Sequence, residues 1–363
     1  MINNYKLKSR IIKNVNGLNM YILENNVKIK KQNVILLLHG FPEISFSYRY
    51  MMLSFEKAGF YCIAPDQRGY GHTKSIVGET LNSFSVLNLT RDISCLMEKL
   101  NIDKYHLIGH DFGAYVSSYL CLLVPKNILS LTLMSMPFPG PPILKNISKM
   151  LRMNQKLALL KPKRKHYQYY FSSYKADNNI MKCKQGLNKF LRSYFYFKSY
   201  DYKGNKPFKL KSYTAKEISK MPEYYIMKLN LGMAQTVKKF SPTQIEVEKC
   251  NWLNEVDLAY YVKNYLNSGM KKPLSWYKVM LSKKEKLRII KLNLPKSIYV
   301  PSIFISGNAD WGMYQKPGDL EKMENIFLKN YYGRFVIKYA GHWVQQEQPV
   351  KTFDVILKFL EKL

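Results

Sequence analysis

The chain has 363 residues and carries 57 Lys and Arg against 25 Asp and Glu, a formal net charge of +32. Its 47% apolar content is typical of a globular protein. No apolar run reaches the roughly 18 residues that a membrane-spanning helix needs. The sequence contains no CxxC pair, His/Cys cluster, GxGxxG motif or P-loop, so we expect neither a metal nor a cofactor.

The cysteines bear on the compartment. They are five in number and far apart, at Cys62, Cys95, Cys121, Cys183 and Cys250. An odd number without close spacing favours free thiols in a reducing compartment. The first residues lack the charged-then-apolar pattern of a signal peptide, so we expect a cytoplasmic location. No oligomeric state is predicted.

Short apolar runs that end at turn residues predict the strands of a sheet. Segments 9–15 and 19–23 are joined through Asn16-Gly17, which is typical of a hairpin. Six later runs are apolar along their length, at residues 34–38, 60–64, 105–108, 131–135, 302–306 and 335–339. They alternate with amphipathic stretches of helical length, such as 85–100. This pattern predicts an α/β fold with a mostly parallel central sheet flanked by helices.

A turn rich in glycine follows the run at 105–108. It reads Gly109-His110-Asp111-Phe112-Gly113, the G-x-S-x-G nucleophile elbow with Asp in the serine position. The tight turn leaves no room for side chains at its glycines, and the helix that follows favours an ionised carboxylate. An isolated Asp here would more often be a helix cap. With a strand before it and the partners described next, we interpret Asp111 as a nucleophile.

A nucleophile of this kind needs a base and a group that orients the base. His342 follows the last predicted strand, and Asp310 follows the strand before it. Taken singly, the histidine would be a buried structural residue and the aspartate a turn former. The order nucleophile, acid, histidine is that of α/β-hydrolases, and all three positions lie just beyond strand ends, where ligand crevices form. The order therefore predicts a triad of Asp111, Asp310 and His342.

The run at 34–38 ends in His39-Gly40-Phe41-Pro42-Glu43. The backbone N–H groups of Phe41 and Phe112 are predicted to form an oxyanion hole, because a tetrahedral intermediate needs two fixed donors. The motif Asp66-Gln67-Arg68-Gly69-Tyr70-Gly71 after the next run is interpreted as a structural turn.

A long insert is predicted between Pro139-Gly140-Pro141-Pro142 and Leu294-Pro295. This divides the chain into an α/β-hydrolase catalytic core, residues 1–139 and 295–363, and a helical cap or lid domain, residues 140–294. Within the cap, residues 198–249 are predicted to be loops. The cap holds 33 Lys and Arg against 9 Asp and Glu. Because only 161–165 concentrates the charge, we interpret it as solvated surface and expect no nucleic-acid partner.

Two tyrosine motifs in the insert complete the pattern. They are His166-Tyr167-Gln168-Tyr169-Tyr170-Phe171 and Leu274-Ser275-Trp276-Tyr277. With the HGFPE, DQRGYG, GHDFGA and GHW motifs of the core, they make the chain resemble the soluble epoxide hydrolases of the α/β-hydrolase fold over nearly its whole length. The core motifs are shared with dehalogenases, so the tyrosine motifs decide the resemblance.

The resemblance implies roles for single residues. Tyr167 and Tyr277 would be the acids that protonate the opening ring, and we expect Gln168, Trp276 and His39 to bind substrate. The chain departs from the family at one point. Phe112 stands where family members usually have Trp, which keeps the backbone donor but changes the wall of the substrate pocket.

The predicted function is conversion of small-molecule epoxides, of lipid or xenobiotic origin, to vicinal diols through an aspartyl ester. A haloalkane or haloacid dehalogenase is the first alternative, because it uses the same triad. It needs a halide cradle, for which Phe112 has no side-chain donor. The second alternative is a catalytically idle protein that binds an acidic lipid or partner through the basic cap; the intact triad argues against it.

Overall fold

The computed structural model describes residues 5–27 and 33–363. Its strands, in chain order, are β1 (Lys8–Val15), β2 (Leu18–Glu24), β3 (Val34–Leu38), β4 (Tyr61–Pro65), β5 (Lys74–Ser75), β6 (Tyr105–His110), β7 (Ile128–Met134), β8 (Arg164–His166), β9 (Ile226–Lys228), β10 (Ser302–Gly307) and β11 (Tyr331–Ile337).

The helices, in chain order, are α1 (Arg49–Lys57), α2 (Val86–Lys99), α3 (Phe112–Leu123), α4 (Lys149–Ala158), α5 (Tyr167–Phe171), α6 (Lys175–Met181), α7 (Gly186–Lys198), α8 (Ala215–Ile218), α9 (Met233–Lys238), α10 (Gln244–Glu248), α11 (Glu255–Ser268), α12 (Lys271–Leu281), α13 (Lys283–Lys291), α14 (Asp319–Lys322), α15 (Val344–Glu347) and α16 (Pro349–Leu360).

One large sheet forms the centre of the molecule, with strand order β1-β2-β4-β3-β6-β7-β10-β11 and β5 beside β2. The leading hairpin pairs antiparallel, and every pair from β4 to β11 is parallel. Every residue of β3, β4, β6 and β10 is buried, as expected for strands covered on both faces. The predicted α/β-hydrolase fold is thus confirmed.

The last predicted strand is misplaced by several residues. We predicted 335–339, whereas β11 runs from Tyr331 to Ile337. This strand is at the edge of the sheet, where half-buried and exposed residues alternate, so it lacks the continuous apolar run that marks the central strands. Tyr339 lies beyond the strand at positive φ, in the turn that leads to the loop of His342.

The segment between β7 and β10 is mostly helical, from α4 to α13, with β8 and β9 paired antiparallel in a small sheet of their own. We predicted loops for residues 198–249, and this is wrong in part. The segment includes three short helices and β9. Thr214 and Thr243 cap α8 and α10, and Thr243 forms a capping box with Glu246. These short capping signals were the part of the sequence pattern that the prediction missed.

A buried ion pair joins this segment to the rest of the molecule. The Nη2 atom of Arg49, the first residue of α1, lies 3.0 Å from Oδ2 of Asp257 in α11, and both side chains are buried. The same guanidinium donates to the carbonyl oxygens of Trp252 and Phe46. Both charges are therefore paired inside the protein, which is the condition under which burial of charge is tolerated.

Candidate active site

The nucleophile elbow is as tight as its glycines predicted. Asp111 lies between β6 and α3 with φ 51° and ψ −115°, a strained conformation for a residue with a side chain. A Cβ atom at Gly113 would lie 1.9 Å from the Leu38 carbonyl oxygen, and one at Gly40 would lie 2.4 Å from Cβ of Asp111. Close backbone approach therefore holds the Asp111 carboxylate at the end of the sheet.

The Asp111 carboxylate meets groups from two loops. Its Oδ1 atom accepts a hydrogen bond from the Phe41 N–H at 3.2 Å, and its Oδ2 atom lies 3.7 Å from Nε2 of His342. Burial works to raise the pKa of Asp111, but the neighbouring His342, followed by Lys198 and His110, lowers it. The group is thus a carboxylate, the form that a nucleophile requires.

His342 and Asp310 are arranged as a base and its orienting acid. The His342 Nδ1–H donates to Oδ1 of Asp310 at 3.1 Å, while Nε2 faces Asp111 and has no hydrogen-bond partner in the described part of the chain. The Gly312 N–H also donates to Asp310, at 2.7 Å. Burial raises the pKa of Asp310, but His342 and the Gly312 N–H lower it. The free Nε2 atom is positioned to take a proton from water.

The predicted oxyanion donors belong to separate elements that meet at Asp111. Phe41 lies after β3 and its N–H already points at the carboxylate, as described above. Phe112 is the first residue of α3 and directly follows Asp111. The ring of Phe112 packs directly against that of Tyr277, with centroids 4.7 Å apart.

The two predicted acids lie close together although 110 positions separate them in the sequence. The rings of Tyr167 in α5 and Tyr277 in α12 have centroids 5.9 Å apart, and both side chains are buried. Tyr277 also packs against Phe41, at 5.4 Å. Burial first, and the Asp111 charge as well, raise the pKa of both phenols, so each carries the proton that it would donate.

A pair of glutamines holds Tyr167. Its hydroxyl donates to Oε1 of Gln315 at 3.2 Å and accepts from Nε2 of Gln168 at 3.3 Å. Gln168 Oε1 is buried and has no partner among the described residues. Gln168 was predicted to bind substrate; Gln315 was not singled out, because no motif in the sequence surrounds it.

Two other predicted substrate contacts are used by the protein itself. The Nδ1 atom of His39 is 3.0 Å from the Gly40 carbonyl oxygen, and its Nε2 atom accepts from the Gln67 N–H. The Trp276 indole N–H donates to the Arg68 carbonyl oxygen at 3.0 Å. Neither ring therefore has a nitrogen left for a hydrogen bond to a ligand. Both rings bond to the backbone of the tight turn at 66–71, at Gln67 and at Arg68.

A buried ion pair behind the nucleophile was also missed by the sequence analysis. Nδ1 of His110 lies 2.6 Å from Oε2 of Glu43, and Nε2 lies 2.7 Å from the His342 carbonyl oxygen. Both neighbours are acceptors, so His110 must carry a proton on each nitrogen. Burial lowers the pKa of His110, but Glu43 raises it and the balance is upward. Glu43 of the HGFPE motif and His110 of the GHDFG motif were visible in the sequence, but we had not predicted that they pair.

A cavity of about 180 Å³ lies next to Gln168 and Gln315, whereas Asp111, His342, Tyr167 and Tyr277 are not among its lining residues. Its wall includes both glutamines that bond the Tyr167 hydroxyl, and it is otherwise largely apolar. Further lining residues are Tyr115, Tyr119, Met136, Phe138, Met280 and Met313. Lys286, Lys316 and Asp319 add charge to the lining. An apolar chamber with few polar groups is typical of a small-molecule site.

Residues 5–27 and 33–363 contain neither a cluster of metal ligands nor a helix suited to a membrane. No group of three or more His, Cys, Asp or Glu side chains is placed to hold a metal ion. No helix in these ranges is both long and apolar enough to cross a membrane.

Comparisons with known proteins place the fold. The family model for the alpha/beta hydrolase fold matches residues 33–349, so the chain belongs to that family. Epoxide hydrolase 3 of Siraitia grosvenorii is 26% identical, over 96% of this chain and 97% of its own. Epoxide hydrolase B of Mycobacterium tuberculosis is 25% identical, with the same coverage of both chains.

Solved structures agree on the architecture. An epoxide hydrolase from an endophytic Streptomyces superposes with a TM-score of 0.79 at 20% identity, over 98% of this chain and 96% of that one. A laboratory-evolved variant of potato epoxide hydrolase gives 0.75 at 23% identity, over 99% and 100%. Together with the sequence relatives, these structures support an epoxide hydrolase of the α/β-hydrolase superfamily, and the predicted resemblance is confirmed.

Proposed function

We propose that the protein converts epoxides to vicinal diols in two chemical steps, with Asp111 as the nucleophile. The observation that carries this proposal is the meeting of two sets of groups at one carboxylate. Nε2 of His342 has no partner among the described residues and lies 3.7 Å from the carboxylate. Two protonated phenols of the inserted segment pack together, and one of them, Tyr277, contacts Phe41 and Phe112 next to that carboxylate. A displacement at carbon with an oxygen leaving group uses all of them.

In the first step, a carboxylate oxygen of Asp111 attacks an epoxide carbon and the carbon–oxygen bond of the ring breaks. The electron pair goes to the ring oxygen, which takes a proton from Tyr167 or Tyr277. The product is an ester of Asp111 with a neighbouring hydroxyl group. Without a proton donor the leaving group would be an alkoxide, which is a poor leaving group, and this is the physical reason for two phenols.

In the second step, Nε2 of His342 takes a proton from water, and the hydroxide attacks the carbonyl carbon of the ester. The Phe41 and Phe112 N–H groups hold the negative charge of the tetrahedral intermediate. Its collapse expels the diol oxygen, which takes the proton held by His342. The new carboxyl group of Asp111 then gives up its own proton, which returns to the tyrosine deprotonated in the first step, and the Asp111 carboxylate is restored. The sum is the addition of one water to one epoxide.

Oxygen isotope labelling tests this route. A single turnover in heavy-oxygen water should give a diol without solvent label, because its new oxygen comes from the Asp111 carboxylate. The label should instead appear on Asp111, and in the diol after further turnovers. A first-turnover diol labelled wholly from solvent would show direct attack by water and contradict the covalent mechanism.

We further propose that residues 140–294 act as the cap and that lipid or xenobiotic epoxides are the substrates. The predominantly apolar cavity beside Gln168 and Gln315 supports an apolar substrate, and the two lysines in its wall would favour one with a negative tail. A cytoplasmic location remains part of this proposal, and its test is fractionation of the cells that make the protein.

A further inference from the structure

Lys198, the last residue of α7, is a buried lysine. Its side chain is 3% exposed, although lysines are almost never fully buried unless they are paired. The ammonium nitrogen lies over aromatic faces, 5.0 Å from the ring centroid of Trp343, 5.4 Å from that of Tyr225 and 5.5 Å from that of Tyr194. Such faces attract a cation, most strongly where water is excluded.

The same residue is fixed to the loop that carries the catalytic histidine. The Lys198 carbonyl oxygen accepts a hydrogen bond from the His342 N–H at 2.9 Å. Gly341 packs so closely that a Cβ atom on it would lie 2.6 Å from that oxygen. The position of the ammonium group is therefore tied to the position of the base.

No carboxylate of the described residues lies within ion-pair distance of this ammonium group. Its charge therefore interacts with several carboxylates of the site at longer range. Burial lowers the pKa of Lys198 to about 8, while Asp111, Asp310 and Glu43, in that order, oppose the fall. In return, Lys198 is among the groups that lower the pKa of Asp111. The phenols that face it, Tyr194 and Tyr225, are kept protonated by burial, which raises the pKa of each.

We propose that Lys198 is a further functional residue of this site and that its ammonium group speeds hydrolysis of the ester on Asp111. This inference rests on the proposed two-step mechanism. Lys198 does not touch the reacting atoms and acts through the carboxyl group of Asp111.

The argument follows the charge on that carboxyl group. The charge is −1 in the resting enzyme, zero in the ester, and −1 again in the tetrahedral intermediate and in the regenerated carboxylate. A fixed positive charge in a site of low dielectric constant stabilises the negatively charged states and leaves the ester relatively unstable. It therefore lowers the barrier to hydrolysis and slightly raises the barrier to ring opening.

A pH dependence follows from the same charges. Esterification removes the charge of Asp111, the foremost of the carboxylates that hold the Lys198 pKa up, so in the ester this pKa falls below its resting value of about 8. Above that pH the ammonium group is lost, and the hydrolysis rate should fall. An arginine at this position stays charged and should show no such fall.

The test is a rapid-quench single turnover with styrene oxide, in which mass spectrometry follows the ester on Asp111. In Lys198→Met the ester should last roughly tenfold longer, the factor that one pKa unit of interaction represents. It should form no more slowly than in the wild type, and the alkaline fall in its hydrolysis should disappear. Lys198→Arg should keep a short ester lifetime.

Lys203→Met is the matched control, because Lys203 also lies over a tyrosine ring, that of Tyr200 at 4.4 Å, but is exposed to solvent. It should leave the ester lifetime unchanged. Thermal unfolding of each variant shows whether it is folded; methionine should be tolerated since it removes a buried charge. Should Lys198→Met fail to fold, the alkaline fall in wild-type hydrolysis still decides the question.

The possible failures are distinguishable. An ester whose lifetime is the same in wild type and Lys198→Met, or wild-type hydrolysis without an alkaline fall, would overturn the role of Lys198 alone. His342→Gln should accumulate the ester whatever Lys198 does. If no ester mass is found in His342→Gln, the two-step mechanism itself is wrong.

Discussion

The sheet-based core and the inserted segment contribute different kinds of group to one site. In the proposed mechanism the core supplies the charged groups that form and break the ester. Backbone donors or buried carboxylates fix each of these groups. The insert supplies two neutral phenols, and Tyr167 is held by the side chains of Gln168 and Gln315. The comparison teaches that covalent chemistry and proton donation are built on separate supports, so variants should separate them.

The largest effect is expected for the core nucleophile. Asp111→Asn removes the attacking oxygen, so turnover should fall by about 10⁴-fold or more, as for other covalent enzymes that lose their nucleophile. The measurement is initial turnover of styrene oxide together with a mass search for the ester, which should be absent. Activity that returns over days, with a mass gain of one unit, would reflect deamidation back to aspartate. Immediate wild-type turnover would contradict the role of Asp111.

The two phenols of the insert should act in the first step only. Tyr167→Phe combined with Tyr277→Phe should slow ring opening by about 10²–10⁴-fold, the usual range for general acid catalysis. Formation of the ester in a single turnover is the quantity to measure. Tyr169→Phe, a half-buried tyrosine of the same motif, is the control and should change little. If the double variant opens the ring at the normal rate, the assignment of Tyr167 and Tyr277 as the acids is wrong.

A third variant tests how firmly the two regions are joined. Arg49→Leu leaves the Asp257 carboxylate buried without its partner, which should lower the free energy of unfolding by about 3–5 kcal/mol. Urea unfolding measures the change. The control is Arg10→Leu, since the ion pair of Arg10 with Glu24 is half exposed on the arginine side and should be worth at most about 1 kcal/mol. Equal losses for the two variants would mean that the buried pair does not join the regions.

The smallest effect concerns the charge of the insert, where Lys and Arg outnumber Asp and Glu by 33 to 9. If this charge attracts substrates with a carboxylate, kcat/KM for an epoxy fatty acid should fall severalfold as salt rises. The reason is that the Debye length shrinks from ~10 Å at 0.1 M to ~3 Å at 1 M. An uncharged aryl epoxide is the control. Parallel salt dependence for both substrates would leave the lysines without a role in substrate choice.

The sequence predicted most of the fold because the central strands are buried on both faces. An uninterrupted apolar run such as that of β3 is visible without any knowledge of neighbours. Strand β11 was misplaced because an edge strand shows only a partial pattern. The short helices α8 and α10 were missed because their signal is a single capping threonine each.

The candidate site divides in the same way. Asp111, Asp310 and His342 could be predicted because each follows a strand and has a recognisable motif around it. Tyr167 and Tyr277 were predicted only from the resemblance to soluble epoxide hydrolases. Gln315 and Lys198 were beyond prediction, because what distinguishes them is burial against partners far away in the sequence. Long-range packing of that kind leaves no local pattern.

The seam between the end of α7 and the loop of His342 has a consequence for movement of the insert. The His342 N–H is bonded to the Lys198 carbonyl oxygen, and the Trp343 indole N–H donates to that of Phe195 at 2.8 Å. Movement of the insert at this seam would therefore disturb His342, the proposed base. Neither Lys198 nor His342 lines the cavity whose wall includes Pro139 and Gly140. The proline-glycine stretch that marked a boundary in the sequence is therefore part of a cavity wall that lies apart from this seam.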